Sequence, residues 1–197
     1  MINLNFFKNH TNQKNLYMTM TISAIVGLIA SFWQMIEKIA ILTAPTEPLS
    51  CNINAIFNCS NILNVWQSSV FGFPNSLMCI VFFVIILAIG LVGWTGGTIN
   101  KNLRLTLQAF TLFFIGFGFW YLWQSIFTVG AICIFCLFCY AAVLAISFTW
   151  LRINQHDLPI SKNAKKFIDA TVADGSDLFI WLSIALIIIG EMVWQFA

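Results

Sequence analysis

The chain has 197 residues, 60% of them hydrophobic and 8% charged, with a formal net charge of +2. Soluble globular domains carry about 25% charged residues. A chain this depleted of charge cannot present a water-covered surface or a basic nucleic-acid face, so lipid must do the covering.

Taken in order, residues 1–17 are polar and read as a short tail. Residues 18–36 hold no charge and form a first apolar span. It exceeds the roughly 7–15 apolar residues of a secretion signal, and Glu37-Lys38 follows it, so it reads as a retained helix; Leu42-Thr43-Ala44 is its one cleavage-like feature. A polar loop at 43–76 contains Cys51 and Cys59. Within it, residues 62–73 place Ile62, Val65, Trp66, Ser69, Val70 and Phe73 near helical spacing. Trp66 and Phe71 suit the membrane interface, either as a lid over a site or as plain anchors.

Residues 77–98 make a second uncharged span. From 105 to 151, between Arg104 and Arg152, there is no charge at all. That run would be roughly 70 Å of helix against about 30 Å of hydrocarbon, so it must cross twice. Its turn falls near Thr128-Val129-Gly130. A polar connector at 152–177 leads to a fifth span at 178–197, interrupted by Glu191. The predicted fold is an all-α integral membrane protein with five membrane spans.

Lys and Arg set the orientation. With the N-terminus inside, Lys8, Lys14, Lys101, Arg104, Arg152, Lys162, Lys165 and Lys166 are cytoplasmic, and only Lys38 falls at the outer end. The loop at 43–76, the turn near Gly130 and the C-terminus are then outside. His10 and His156 fall inside, away from the cysteines.

This topology puts two cysteine pairs on one side: Cys51 with Cys59, and Cys133 with Cys136. The second pair is a C-x-x-C opening a helix, where unpaired N–H groups and the helix dipole favour a thiolate on the first cysteine. Disulfide exchange needs such a thiolate and a leaving sulfur. Cys133 therefore suits exchange with another dithiol, and Cys136, nearly a turn deeper, suits contact with an acceptor in the membrane. Two other readings stand beside this one. Four thiolates can hold zinc, although zinc sites usually pair two C-x-x-C units, and seven residues separate Cys51 from Cys59. Alternatively, Cys51–Cys59 is a static staple. Cys79 and Cys139, inside spans, read as apolar packing.

The segment Cys51-Asn-Ile-Asn-Ala-Ile-Phe-Asn-Cys59, continuing through Ser60, Trp66, Ser68, Phe71 and Gly72 to Pro74-Asn75, resembles the vitamin K epoxide reductase family, as does Cys133-Ile-Phe-Cys136-Leu-Phe-Cys-Tyr140. The resemblance covers residues 18–151 and makes them the four-helix catalytic core, with the fifth helix after it. Cysteine order separates it from the related quinone-linked disulfide oxidase of many bacteria, in which the C-x-x-C comes first. The resemblance implies a four-helix bundle around a quinone (ubiquinone or menaquinone). It implies that Cys51 exchanges with a partner, Cys59 passes electrons to Cys133, and Cys136 faces the quinone. Asn75 and Tyr140 match positions that hydrogen-bond the quinone oxygens. Both can donate such bonds, but Asn75 can equally cap a helix and Tyr140 can bond another helix. Two departures from the family pattern stand out. Val65 occupies a position that is serine in many relatives, with Ser68 and Ser69 close by. The thioredoxin-like domain that many bacterial relatives carry after the fifth helix has no counterpart here, so the expected partner is a separate thioredoxin-fold disulfide oxidase.

The expected function is that of a thiol:quinone oxidoreductase of the bacterial inner membrane, supporting disulfide formation on the periplasmic side. Reduction of vitamin K quinone or its epoxide runs over the same residues. A non-catalytic scaffold with structural disulfides is the alternative outside enzymes.

Overall fold

The structure, a computed structural model, describes residues 13–44 and 49–196. Lys8, His10, most of the tail expected over 1–17, loop residues 45–48 and Ala197 lie outside the described residues. The helices are α1 (Gln13–Thr43), α2 (Cys59–Leu63), α3 (Asn75–Trp94), α4 (Lys101–Trp123), α5 (Ile134–Asn154), α6 (Lys162–Asp174) and α7 (Asp177–Phe196). Five of them, α1, α3, α4, α5 and α7, are long and apolar enough to cross a membrane. The fold is all-α, as expected. The long uncharged stretch does break into two passes: α4 ends in a wider turn, Gln124–Val129, closed by Gly130 in the left-handed region at φ 71°, with its N–H bonded to the Ser125 carbonyl.

Two elements differ from the sequence reading. Helix α1 runs on past Glu37 and Lys38 to Thr43, because both charged side chains are buried with partners and do not end the span. The polar connector contains α6, started by the Ser161 hydroxyl accepting from the Ala164 N–H and stopped by Gly175 at φ 75°.

Helix α1 is the spine of the bundle, packed along α3 and α5, while α4 packs on α5. Its inward seam is Met20, Ala24, Gly27, Ser31, Gln34, Lys38 and Ile41, all buried. The alternating spacing of four and three keeps one face toward the neighbouring helices. Between helices in lipid the hydrophobic effect gives no drive, so association rests on close packing and interhelical bonds. Gly27 shows how close the packing is: a Cβ there would lie 2.3 Å from the Phe83 ring. One core cluster, built on Met20, Phe83, Ile86, Ile146 and Trp150, fills one part of the bundle; a second, built on Ile41, Ile62, Tyr121, Leu144 and the four paired cysteines, fills the other.

Helix α7 lies on the second cluster through Trp181, Ile184, Ala185, Ile188 and Met192. The opposite face, with Phe179, Leu182, Leu186, Ile189 and Val193, is exposed, as befits contact with lipid. Where α7 begins, Asp177 accepts both Nε and an Nη of Arg152 at 2.7 and 2.6 Å. The two side chains are 0% and 3% exposed, and the guanidinium lies over the Phe148 ring. A two-pronged pair this dry fixes the start of α7 against the end of α5.

Removing one member of a buried pair strands the other charge, at a cost of about 3–5 kcal/mol, whereas replacing both with apolar groups is often neutral. Asp177→Ala should therefore lower the unfolding temperature in detergent more than Arg152→Leu combined with Asp177→Leu. Equal losses in the two variants would contradict the role assigned to the pair.

Candidate active site

The loop before α2 is folded by its asparagines. Asn54 Oδ1 accepts the N–H groups of Ile56 and Phe57 at 2.9 and 2.7 Å. Asn52 bonds Ser60 through both ends of its amide. Asn58 caps α2 by accepting from the Asn61 N–H. Short polar side chains bonding nearby backbone are the usual makers of such turns. The loop is closed by a disulfide between Cys51 and Cys59.

One further contact sets its place. The Ile132 N–H donates to the Ile56 carbonyl at 2.7 Å, and Phe57 and Ile132 form an isolated parallel bridge. Phe57 is two residues before Cys59, and Ile132 is the residue before Cys133. The bridge therefore lays one cysteine pair against the other, and the Cys59 and Cys133 sulfurs lie 3.6 Å apart. Cys133 and Cys136 are free thiols. All four sulfur-bearing residues are buried.

Cys133 is the cap residue preceding α5. The Cys136 thiol donating to its sulfur, together with the N–H groups of Cys136 and Phe135, holds it below the ordinary thiol range, against burial and the Glu37 carboxylate, which push upward. The first cysteine of the pair is thus the readier thiolate, as a helix N-terminus favours.

The end of α1 holds this loop at both its ends. Glu37 accepts from Trp33 Nε1 at 3.2 Å and from the hydroxyl of Ser50, the residue before Cys51. Lys38 donates to the Leu63 carbonyl, at the end of α2, and to Ser68 Oγ. A cation at a helix C-terminus is favourable. Ser68 Oγ also donates to the Leu63 carbonyl at 2.8 Å, so a serine three residues after Val65 supplies the hydroxyl at this junction. Glu37 and Lys38 read in sequence as the polar end of a span; their clamp on the loop was missed.

Beneath the cysteines lies a cavity within the four helices. It is lined by Gln34 from α1, Asn75, Ser76 and Cys79 from α3, Phe114, Phe117, Gly118, Tyr121 and Leu122 from α4, and Cys136, Cys139, Tyr140 and Val143 from α5. Cys136 reaches it and Cys133 does not line it. Of the two residues expected to meet a quinone, Tyr140 has a buried hydroxyl without a hydrogen-bond partner. Its ring rests on Gly118, where a Cβ would lie 2.5 Å from it. Asn75 lines the cavity too, but its amide also braces the loop, donating to the Gln67 carbonyl at 2.7 Å and accepting from the Val70 N–H at 3.3 Å. Tyr121 was missed by sequence reasoning. Its hydroxyl is buried and unpartnered like that of Tyr140, and a tyrosine among the phenylalanines of an apolar span was the available signal.

A cavity walled by aromatic and aliphatic groups, with two unpartnered phenols, fits a flat apolar ring bearing carbonyl oxygens, since each buried O–H lacks an acceptor. A dithiol at its edge can give two electrons to such a ring, and the adjoining pair can replenish that dithiol by exchange.

If Lys38 holds α2, Lys38→Met should lower stability by about 1.5–3 kcal/mol, the worth of bonds to a charged group, and hasten reduction of Cys51–Cys59 by added dithiothreitol. An unchanged reduction rate would contradict the clamp.

No curated protein matches the sequence. The profile of the Vitamin K epoxide reductase family matches residues 18–151, the stretch that carries both cysteine pairs and every residue lining the cavity. With that match over more than half of its length, the chain belongs to the Vitamin K epoxide reductase family and is a multi-pass membrane oxidoreductase of thiols and quinones.

Proposed function

We propose that the protein oxidises a separate thioredoxin-fold partner and passes its electrons to ubiquinone or menaquinone, supporting disulfide formation outside the cytoplasm of a bacterium. In this reading the protein sits in the inner membrane with its N-terminus in the cytoplasm and the cysteine end of the bundle toward the periplasm. The excess of Lys and Arg at the opposite end supports that orientation.

The observation that carries the proposal is the placement of the sulfurs: 3.6 Å between Cys59 and Cys133, with Cys136 at the cavity beyond. A thiolate of the partner attacks Cys51, releasing Cys59, and the second partner thiolate resolves the mixed disulfide. Cys51 and Cys59 are then both thiols, and the partner is oxidised. Because Cys51 is buried, docking of the partner has to open the loop. Next, the Cys59 thiolate attacks Cys133 of a Cys133–Cys136 disulfide, and Cys136 leaves as a thiolate. Cys51 attacks Cys59, closing Cys51–Cys59 and releasing Cys133. The resulting arrangement, with the loop pair oxidised and the helix pair reduced, is the one observed. A bound quinone supplies the two-electron sink and accepts two protons, while Cys133 and Cys136 join as a disulfide. Tyr140 and Tyr121 orient the ring with their hydroxyls, and the apolar wall excludes water.

With a reduced thioredoxin-fold protein and excess quinone, quinone absorbance should fall in the natural chain and stay constant in Cys136→Ala. Tyr140→Phe should raise the quinone KM about tenfold, the worth of one buried hydrogen bond. Folded protein that reduces neither quinone would contradict the proposal.

A further inference from the structure

We infer that Gln34 is a catalytic donor to Cys136, stabilising the charge that this sulfur carries as it hands its electrons on. The inference deepens the proposed function and rests on Cys136 being the sulfur that meets the acceptor.

Gln34 lies in the middle of α1 and is 6% exposed. Its Nε2 donates to Cys136 Sγ at 3.2 Å, and both residues line the cavity. A carboxamide is a costly occupant of an apolar span unless it is bonded, and polar residues there tend to serve function. Packing alone would be met by an apolar residue at this position of the seam.

The neighbourhood explains what the amide does. Helix-end N–H groups serve Cys133, which precedes α5. Cys136 is a turn further in, and its own N–H is bonded to the Cys133 carbonyl at 3.1 Å. The titratable groups facing Cys136 are Cys133 just before its helix, Cys139 on that helix, Cys79 on α3 and Tyr121 on α4, with Tyr140 also on the cavity wall. None of these is a cation, and the ammonium of Lys38 is turned to Leu63 and Ser68. When the helix pair is oxidised, the Cys136 proton leaves, the Cys133–Cys136 bond forms, and two electrons with two protons go to the quinone. Negative charge builds on Cys136 Sγ at the start of that step, where the Gln34 N–H already points. A donor held in place before the charge develops costs no reorganisation when it does.

The test is alkylation by N-ethylmaleimide of purified, quinone-free protein in a Cys133→Ser background, with Cys136 and Cys139 followed separately by mass spectrometry. Cys139 is the internal control, since its thiol donates to the Gly27 carbonyl and not to Gln34. Gln34→Leu should slow Cys136 about tenfold, the loss of one bond to a charged group, and leave Cys139 unchanged. Gln34→Met, which keeps the length of the side chain and loses the donor, should slow it about as much. With Cys133 restored, Gln34→Leu should lower kcat with quinone by a larger factor than it raises the quinone KM. An unchanged Cys136 rate in either variant, or equal slowing of Cys139, would overturn the inference. Because alkylation is read without quinone, its result is independent of whether the oxidase assay succeeds.

Discussion

Thiol–disulfide exchange requires one sulfur to touch another, and the two that must touch here, Cys59 and Cys133, are separated by 74 positions in the chain. The fold around them is organised by that contact. A covalent loop carries Cys59, a helix cap carries Cys133, and a single backbone bridge between Phe57 and Ile132 aligns the two. The bridge is small, so it must be backed by rigid elements. Helix α1 supplies the backing by gripping the loop at Ser50 and at Leu63 with adjacent charged side chains of opposite sign.

The second organising feature is how the membrane treats polar groups. Along the α1 seam, Ser31, Gln34 and Lys38 replace apolar residues at buried positions, and each has a defined partner. Ser31 bonds back to the Leu28 carbonyl of its own helix, while the bonds of Gln34 and Lys38 to other parts of the fold do what the hydrophobic effect does in water, at specific points rather than over an area. The same reasoning separates the two halves of the bundle. Phenylalanine and leucine packing fills one cluster. The other contains the four paired cysteines, and the phenols of Tyr121 and Tyr140 are buried there without acceptors. That shortage of acceptors leaves the cavity suited to a ring with carbonyl oxygens.

Much of this was legible in the sequence. The five spans follow from uncharged length, and the turn at Gly130 from the impossibility of one helix spanning residues 105–151. That the two cysteine pairs share one end of the bundle follows from hydropathy and charge, and the structure places them side by side. Asn75 and Tyr140 were singled out, and both line the cavity. Missed were Gln34, Glu37, Lys38 and Tyr121. The charges of Glu37-Lys38 read as a span's end, although spacing of four and three ran through Ser31, Gln34, Lys38 and Ile41 and placed these residues on the buried face. Gln34 was hidden because it carries no charge and leaves the hydropathy of its span high. The brace of Asn75 to Gln67 and Val70 was beyond reach, since it depends on how the loop returns to α3.

The central claim, that Cys59 and Cys133 exchange directly, is tested most simply by removing their usual partners. In the chain carrying Cys51→Ser and Cys136→Ser, mild oxidation should join Cys59 to Cys133, and peptide mapping by mass spectrometry should recover that disulfide as the main product. If Cys133 instead stays free or pairs with Cys139 while the protein remains folded, the two pairs do not exchange through these sulfurs and the account is wrong.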